Sequence, residues 1–141
     1  MIIKQLSVFL ENKAGRLTEV TGILGENNIS ISALSIAETA DYGVLRMIVD
    51  NPDKAILALK ENELSVHITD VICIVTPDTP GSLHTVIQYL SDYDINVAYM
   101  YGYSHDNKAS IIMKVNDPNK AVEILQKKQI ALISADQFYQ L

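Results

Sequence analysis

The 141-residue sequence has no tryptophan, two phenylalanines, one cysteine, four prolines and only eleven basic residues. Each scarcity closes a class of function. One cysteine, Cys73, permits no intrachain disulfide, so the chain is not a disulfide scaffold and fits a reducing compartment. Its setting in the apolar run DVICIV makes it a small core residue. No apolar run reaches the roughly 18 residues of a membrane helix. Lys4, Gln5 and Glu11 interrupt the apolar N-terminus MIIKQLSVFLEN, and no small-residue cleavage site follows. The expectation is a soluble, cytoplasmic protein with no membrane partner. The 17 acidic residues outnumber the basic ones, for a net charge of −6. The imbalance is even, with six basic and nine acidic groups in residues 1–66 and five and eight in 67–141. Without a basic stripe, no nucleic-acid partner is expected. His67, His84 and His105 are scattered and Cys73 has no CxxC partner, so no metal site is predicted. There is no Gly-rich phosphate loop and no Ser–His–Asp arrangement. The sequence therefore predicts no catalytic residue, no cofactor and no enzyme.

What the chain does have is a unit written twice. Hydrophobic residues make up 48%, enough for a packed globule. Sliding the sequence by 66 positions, without a gap, places Gly15 on Gly81, Leu17 on Leu83, Val20 on Val86 and Ile29 on Ile95. Met47 falls on Met113, and Pro52, Lys54 and Ala55 fall on Pro118, Lys120 and Ala121. A shared period of this kind must be read before any single motif.

Each copy shows the same order of patterns. Lys4 to Leu10 alternates, with Leu6, Val8 and Leu10 on one face and Gln5 and Ser7 on the other, as in a half-buried strand. From about Ala14 to Glu26, Leu17, Val20, Ile23 and Leu24 stand at helical spacing. Ser30 to Ile36 and Gly43 to Val49 read as two further strands. Asn51-Pro52 and Asp117-Pro118 read as an N-cap followed by proline at the first helical position, and Leu64 to Ile68 as a fourth strand. The order β-α-β-β-α-β predicts an α+β, ferredoxin-like sandwich in two tandem copies packed side by side: residues 1–68 and residues 69–141. In LSVHITDVICIVTP the last strand of the first copy runs almost directly into the first strand of the second.

The segment TPDTPGSLHTV and its counterpart FLENKAGRLTEV sit where a strand gives way to a helix. A helix begins just after Pro80, and its first N–H groups and dipole favour a carboxylate. Gly81 and Gly15 let a ligand approach the backbone, and Asp78 is placed to accept from an ammonium group. Open amides beside a carboxylate suit a zwitterion. In the first copy Asn12 stands for Asp78, Ala14 for Pro80 and Arg16 for Ser82. His84 lies close by in the first helical turn.

NKAGRLTEVTGILGENNISI and DTPGSLHTVIQYLSDYDINV resemble the ACT domain, a small regulatory module of amino-acid metabolism, over nearly the whole chain. The second copy has the full pattern through Asp78, Pro80, Gly81, Leu83, Ile95, Asn96 and Val97. The first departs from it at Ala14 and Ser30. The resemblance implies modules that pair side by side and bind a small molecule, often an amino acid, at the interface formed by the strand-to-helix loops. Carried onto this chain, the ligand-binding candidates are Asn12, Ala14, Gly15, Arg16, Leu17 and Ser30, and Asp78, Pro80, Gly81, Ser82, Leu83 and Asn96. It further implies a regulatory sensor, with a regulated enzyme as a possible partner. The alternative is a structural or interaction module whose loops bind nothing. Tyr99, Tyr101 and Tyr103 share one face of a strand in VAYMYGY, where the first copy has Ala33, Ser35 and Ala37. With the helix-free sheet face, they predict a homodimer.

Overall fold

The structure, a computed structural model, describes residues 1–139, so the last two positions of the expected second module lie outside the described residues. The chain forms two compact units. Lys4–Thr69 make the first; the chain from Asp70 onward, with Met1–Ile3, makes the second.

The first unit is built from β1 (Ile3–Glu11), α1 (Arg16–Glu26), β2 (Ile31–Glu38), β3 (Tyr42–Val49), α2 (Pro52–Glu61) and the start of β4 (Ser65–Pro77). Its strand order is β2-β3-β1-β4. The β1–β3 register pairs Leu6 with Met47 and Val8 with Leu45, and all four side chains enter the core. There they meet Val20, Ile23 and Leu24 of α1 and Ala55, Ala58 and Leu59 of α2, the stripes expected from helical spacing.

The second unit repeats the order with the rest of β4, α3 (Ser82–Ser91), β5 (Val97–His105), β6 (Lys108–Val115), α4 (Pro118–Lys127) and β7 (Ala131–Leu132). Its strands run β5-β6-β4-β7. Ile72, Ile74, Ile111 and Met113 pack against Val86, Leu90, Ala121 and Leu125. β4 is a single strand of 13 residues that serves first one unit and then the other.

Local rules fix the ends of these elements. Asn51 Oδ1 accepts from the Lys54 N–H at 3.2 Å and Asp117 Oδ1 from the Lys120 N–H at 3.1 Å, each ahead of a proline at the first helical position. Removing such a cap costs about 1 kcal/mol. Asp117→Ala and Asn51→Ala should each lower the unfolding free energy by that amount, read from denaturant titration, and Asp117→Ser should restore most of it. The helix ends repeat as well. Asn28 (φ 57°) and Asp94 (φ 58°) adopt left-handed conformations just past α1 and α3. The following Ile29 and Ile95 N–H groups return to Leu24 and Leu90 O at 2.9 Å, closing each helix in a Schellman-type turn.

Three features depart from the sequence reading. α1 and α3 begin at Arg16 and Ser82, because the Ala14-Gly15 and Pro80-Gly81 pairs form a turn of their own. The fourth strand of the second unit is only two residues long and gives way to α5 (Ala135–Tyr139). The start of α5 is a capping box: the Ser134 N–H donates to Gln137 Oε1 at 2.9 Å and the Gln137 N–H to Ser134 Oγ at 3.2 Å. Finally, Gln5 and Ser7, which alternation assigned to an open face, are 0% and 8% exposed, as closed to water as the apolar side of β1.

Cys73 is fully buried, and burial pushes its thiol from the ordinary 9.0 up to about 12. The folded state thus holds the proton more tightly than the unfolded chain. The benefit of a neutral thiol is complete below about pH 9 and declines as pH rises above it. At pH 8 a thiol reagent should label the native protein slowly and the urea-unfolded protein at once; equal rates would contradict this burial.

Candidate functional site

Each first strand of a unit leads into a four-residue turn. In the second unit the Ser82 N–H donates to Thr79 O at 3.1 Å, and Gly81 has φ 89° and ψ −12°. In the first, the Arg16 N–H donates to Lys13 O at 3.4 Å, and Gly15 has φ 95° and ψ −22°. A positive φ at the third position is the mark of a type II turn. Proline suits the second position, where Pro80 stands, because its ring presets φ; Ala14 has no such constraint. A Cβ on either glycine would meet nothing within 4 Å. Backbone conformation, not crowding, therefore demands glycine there, and the space beside it is open.

The helix starts directly after this turn. Gly81 O accepts from the Thr85 N–H and from Thr85 Oγ1, both at 3.1 Å, and Gly15 O accepts from the Glu19 N–H at 3.0 Å. Among the described residues, no side chain caps α1 or α3. The Ser82 amide is already committed to Thr79. A carboxylate would therefore meet the amides of Leu83 and His84, or those of Leu17 and Thr18 in the first unit.

Hairpins hold both loops in place. The Asp78 N–H donates to Asn107 O at 2.9 Å and the Asn12 N–H to Asp41 O at 2.8 Å. Asn12 Nδ2 also donates to Thr39 O at 3.0 Å, so its amide donors pin the loop, whereas the Asp78 carboxylate stays exposed. Thr79 Oγ1 and Ser82 Oγ share a hydrogen bond of 2.6 Å that closes the turn. Arg16 Nη1 lies 3.3 Å from Glu19, and among the described residues its buried Nε has no hydrogen-bond partner. The Lys13 ammonium, 3.0 Å from Glu11, holds that exposed carboxyl below its ordinary value.

A cavity borders the first turn, and another borders the start of α3 at Leu83. The first unit's measures about 170 Å³ and is bordered by Asn12, Lys13, Arg16, Leu17, Ile36 and Glu38, among others. The second unit's measures about 350 Å³, with Leu83, Met100, Gly102, Ala109 and Ile111 around it.

The whole chain, residues 1–141, matches the family model described as an ACT domain pair. The chain belongs to the ACT domain pair family. A protein from Bacteroides thetaiotaomicron of known crystal structure is 48% identical, over 100% of this chain and 98% of that one, with a TM-score of 0.96. The ligand-free regulatory subunit of aspartate kinase from Thermus thermophilus shares the fold, with a TM-score of 0.66 and 15% identity over 88% and 91% of the two chains. Clostridium acetobutylicum aspartate kinase does so over 88% of this chain and 32% of its own, at 16% identity and a TM-score of 0.57. A search of curated proteins finds no match.

Within each unit of the ACT pair, the structure gathers Asn12, Ala14, Gly15, Arg16 and Leu17, and Asp78, Pro80, Gly81, Ser82 and Leu83, at one end of the sheet. Ser30 and Asn96 are not among them. They sit at the start of β2 and β5, donating to Asp50 Oδ1 at 3.0 Å and Asn116 Oδ1 at 2.9 Å. The 11 residues of α1, about 16 Å of helix, separate Ser30 from the turn of its own unit. Conversely, Ile36, Met100, Gly102 and Ala109 border the cavities although no motif marks them. The signal that finds them is the repeat itself: Leu17/Leu83, Ile36/Gly102 and Gly43/Ala109 are matched pairs bordering matched cavities. Among the described residues no group of three or more His, Cys, Asp or Glu could hold a metal, and no helix is long and apolar enough to cross a membrane.

Proposed function

We propose that this ACT pair is a small-molecule sensor that holds an amino acid at its strand-to-helix turns and regulates a partner protein, with no catalysis of its own. One observation carries this reading. In both units the same type II turn leads into an uncapped helix start whose first turn borders a cavity. The helix amides suit the ligand carboxylate, and in the second unit Asp78 suits its ammonium. The fold is used for regulation in the aspartate kinase subunit that shares it. The partner of this chain would be an enzyme controlled in the same manner.

A thermal-shift screen of the twenty amino acids tests the reading. A ligand at 100 times its dissociation constant should add about 2.7 kcal/mol of stability. Asp78→Asn, which keeps the shape and removes the charge, should weaken that ligand. If no amino acid shifts the transition at millimolar concentration, the turns are structural only.

The second unit also supports a homodimer. The register places Tyr99, Tyr101 and Tyr103 opposite Lys114, Ile112 and Ser110, on the sheet face away from the α3 and α4 core, with Tyr103 56% exposed. Sedimentation at micromolar concentration should give twice 15.6 kDa; a monomer at high concentration would remove this interface.

A further inference from the structure

We infer that the second unit, not the first, holds the ligand's side chain, and that this side chain is large, apolar and uncharged, of the leucine, methionine or phenylalanine class. The inference rests on the reading of the turn as an amino-acid site and goes beyond it by naming the unit and the ligand class.

The repeat supplies an internal comparison. At matched places one cavity measures about 170 Å³ and the other about 350 Å³. Size alone does not separate the units, because a further cavity of about 390 Å³ borders Arg16 and Glu19 in the first and falls, like the second unit's, within the roughly 300–1,000 Å³ of known ligand sites; there too the lining is charged, with Glu11 and Glu63 beside Arg16 and Glu19. Chemistry does separate them. Glu11, Lys13, Arg16 and Glu38 put four charges around the first cavity, whereas no charged residue borders the second.

Position 102 is one place where the two linings differ. In the first unit Ile36 occupies the matched place with a full side chain. At Gly102 the strand runs so close to β6 that a Cβ would overlap the Ser110 carbonyl oxygen and stand 3.0 Å from Ile111 Cα. No side chain can grow there, because β6 holds the place a Cβ would take, whereas Ile36 carries its full side chain beside the first cavity. Leu83 joins the two halves of the site. Its amide belongs to the uncapped first turn of α3, and it borders the cavity. A ligand whose carboxylate meets that turn directs its own side chain towards Met100, Ala109 and Ile111. The lining offers a charged side chain no charged partner, while covering a leucine- or phenylalanine-sized group there, even in part, is worth up to roughly tenfold in affinity.

Calorimetry on the intact protein decides the matter, with L-phenylalanine, L-leucine and L-methionine set against glycine, L-serine, L-aspartate and L-lysine. The apolar three should bind at least tenfold more tightly. Ala109→Leu, which fills the cavity, and Met100→Gln, which makes a 43% exposed wall polar, should each weaken them severalfold to tenfold and leave glycine unchanged. Ile36→Ala should alter neither group. Denaturant midpoints near the parent value would show that both second-unit variants are folded. Should a small or charged amino acid bind most tightly and lose affinity in Asp78→Asn, the turn site stands and this inference falls. The same holds if Ala109→Leu and Met100→Gln bind the apolar ligands as the parent does. If no amino acid binds at all, the reading of the turn falls and takes this inference with it.

Discussion

Gly102→Ala should destabilise the second unit by roughly 3 kcal/mol, the upper range for overpacking. A single methyl group is enough, because what it meets is backbone: the Ser110 carbonyl oxygen and Ile111 Cα. Backbone in a ladder cannot turn aside as a side-chain tip can. Gly102 pairs with Ile111, between Tyr101↔Ile112 and Tyr103↔Ser110, so the strain falls in the middle of the β5–β6 ladder. β5 ends the strand order of its unit and is free to move outward. The expected result is therefore a loosened strand rather than a lost fold: faster amide exchange in β5 and β6, with α1 and β3 of the first unit unaffected. Ile36→Ala is the control. Its side chain is 46% exposed, so shortening it should cost less than half as much. Equal midpoints for Gly102→Ala and the parent would show that β5 accommodates a side chain.

Much of the fold was legible because the chain states it twice. Pro52 and Pro118 at first helical positions, the alternation through Leu6, Val8 and Leu10, and the uninterrupted run from Ser65 to Pro77 all became the elements they suggested. Local rules present in the sequence were also missed. Pro80-Gly81 satisfies the two central positions of a type II turn, and the turn, not the helix, occupies that pair. SADQ is a capping box, and the helix behind it has only five residues, too few to show a helical period. Other features had no local signal. Alternation along β1 says that Gln5 lies opposite Leu6; it does not say that both are 0% exposed, since burial of a second face depends on distant chain. The site divides in the same way. The turn residues follow from chain order. The cavity beside Gly102 depends on how closely β5 approaches β6, which no residue pattern encodes. The contrast between Ile36 and Gly102 was visible in the repeat but had no meaning without that distance.

Gly81→Val should abolish most binding at the second turn, tenfold or more, about 1.4 kcal/mol per factor of ten. Two effects would act together, and the structure separates them. With φ at 89°, a β-branched residue is strained, at a cost of about 1–3 kcal/mol in stability. Because an added Cβ meets nothing within 4 Å, the fold should survive that strain, with the new side chain standing in the open space through which a ligand reaches the Leu83 and His84 amides. Asparagine tolerates the left-handed region better than other non-glycine residues. Gly81→Asn should therefore recover much of the lost stability while still obstructing the ligand. Gly15→Val gives the first unit a similar strain, at φ 95°, and leaves the second turn untouched. Urea midpoints and calorimetry on the three variants give distinct patterns. If the ligand sits at the second turn, Gly81→Val and Gly81→Asn bind poorly at different stabilities, and Gly15→Val binds as the parent does despite its lowered midpoint. If affinity instead follows stability across all three, the glycine acts only through the turn, and the amides at the head of α3 are not where the carboxylate lies.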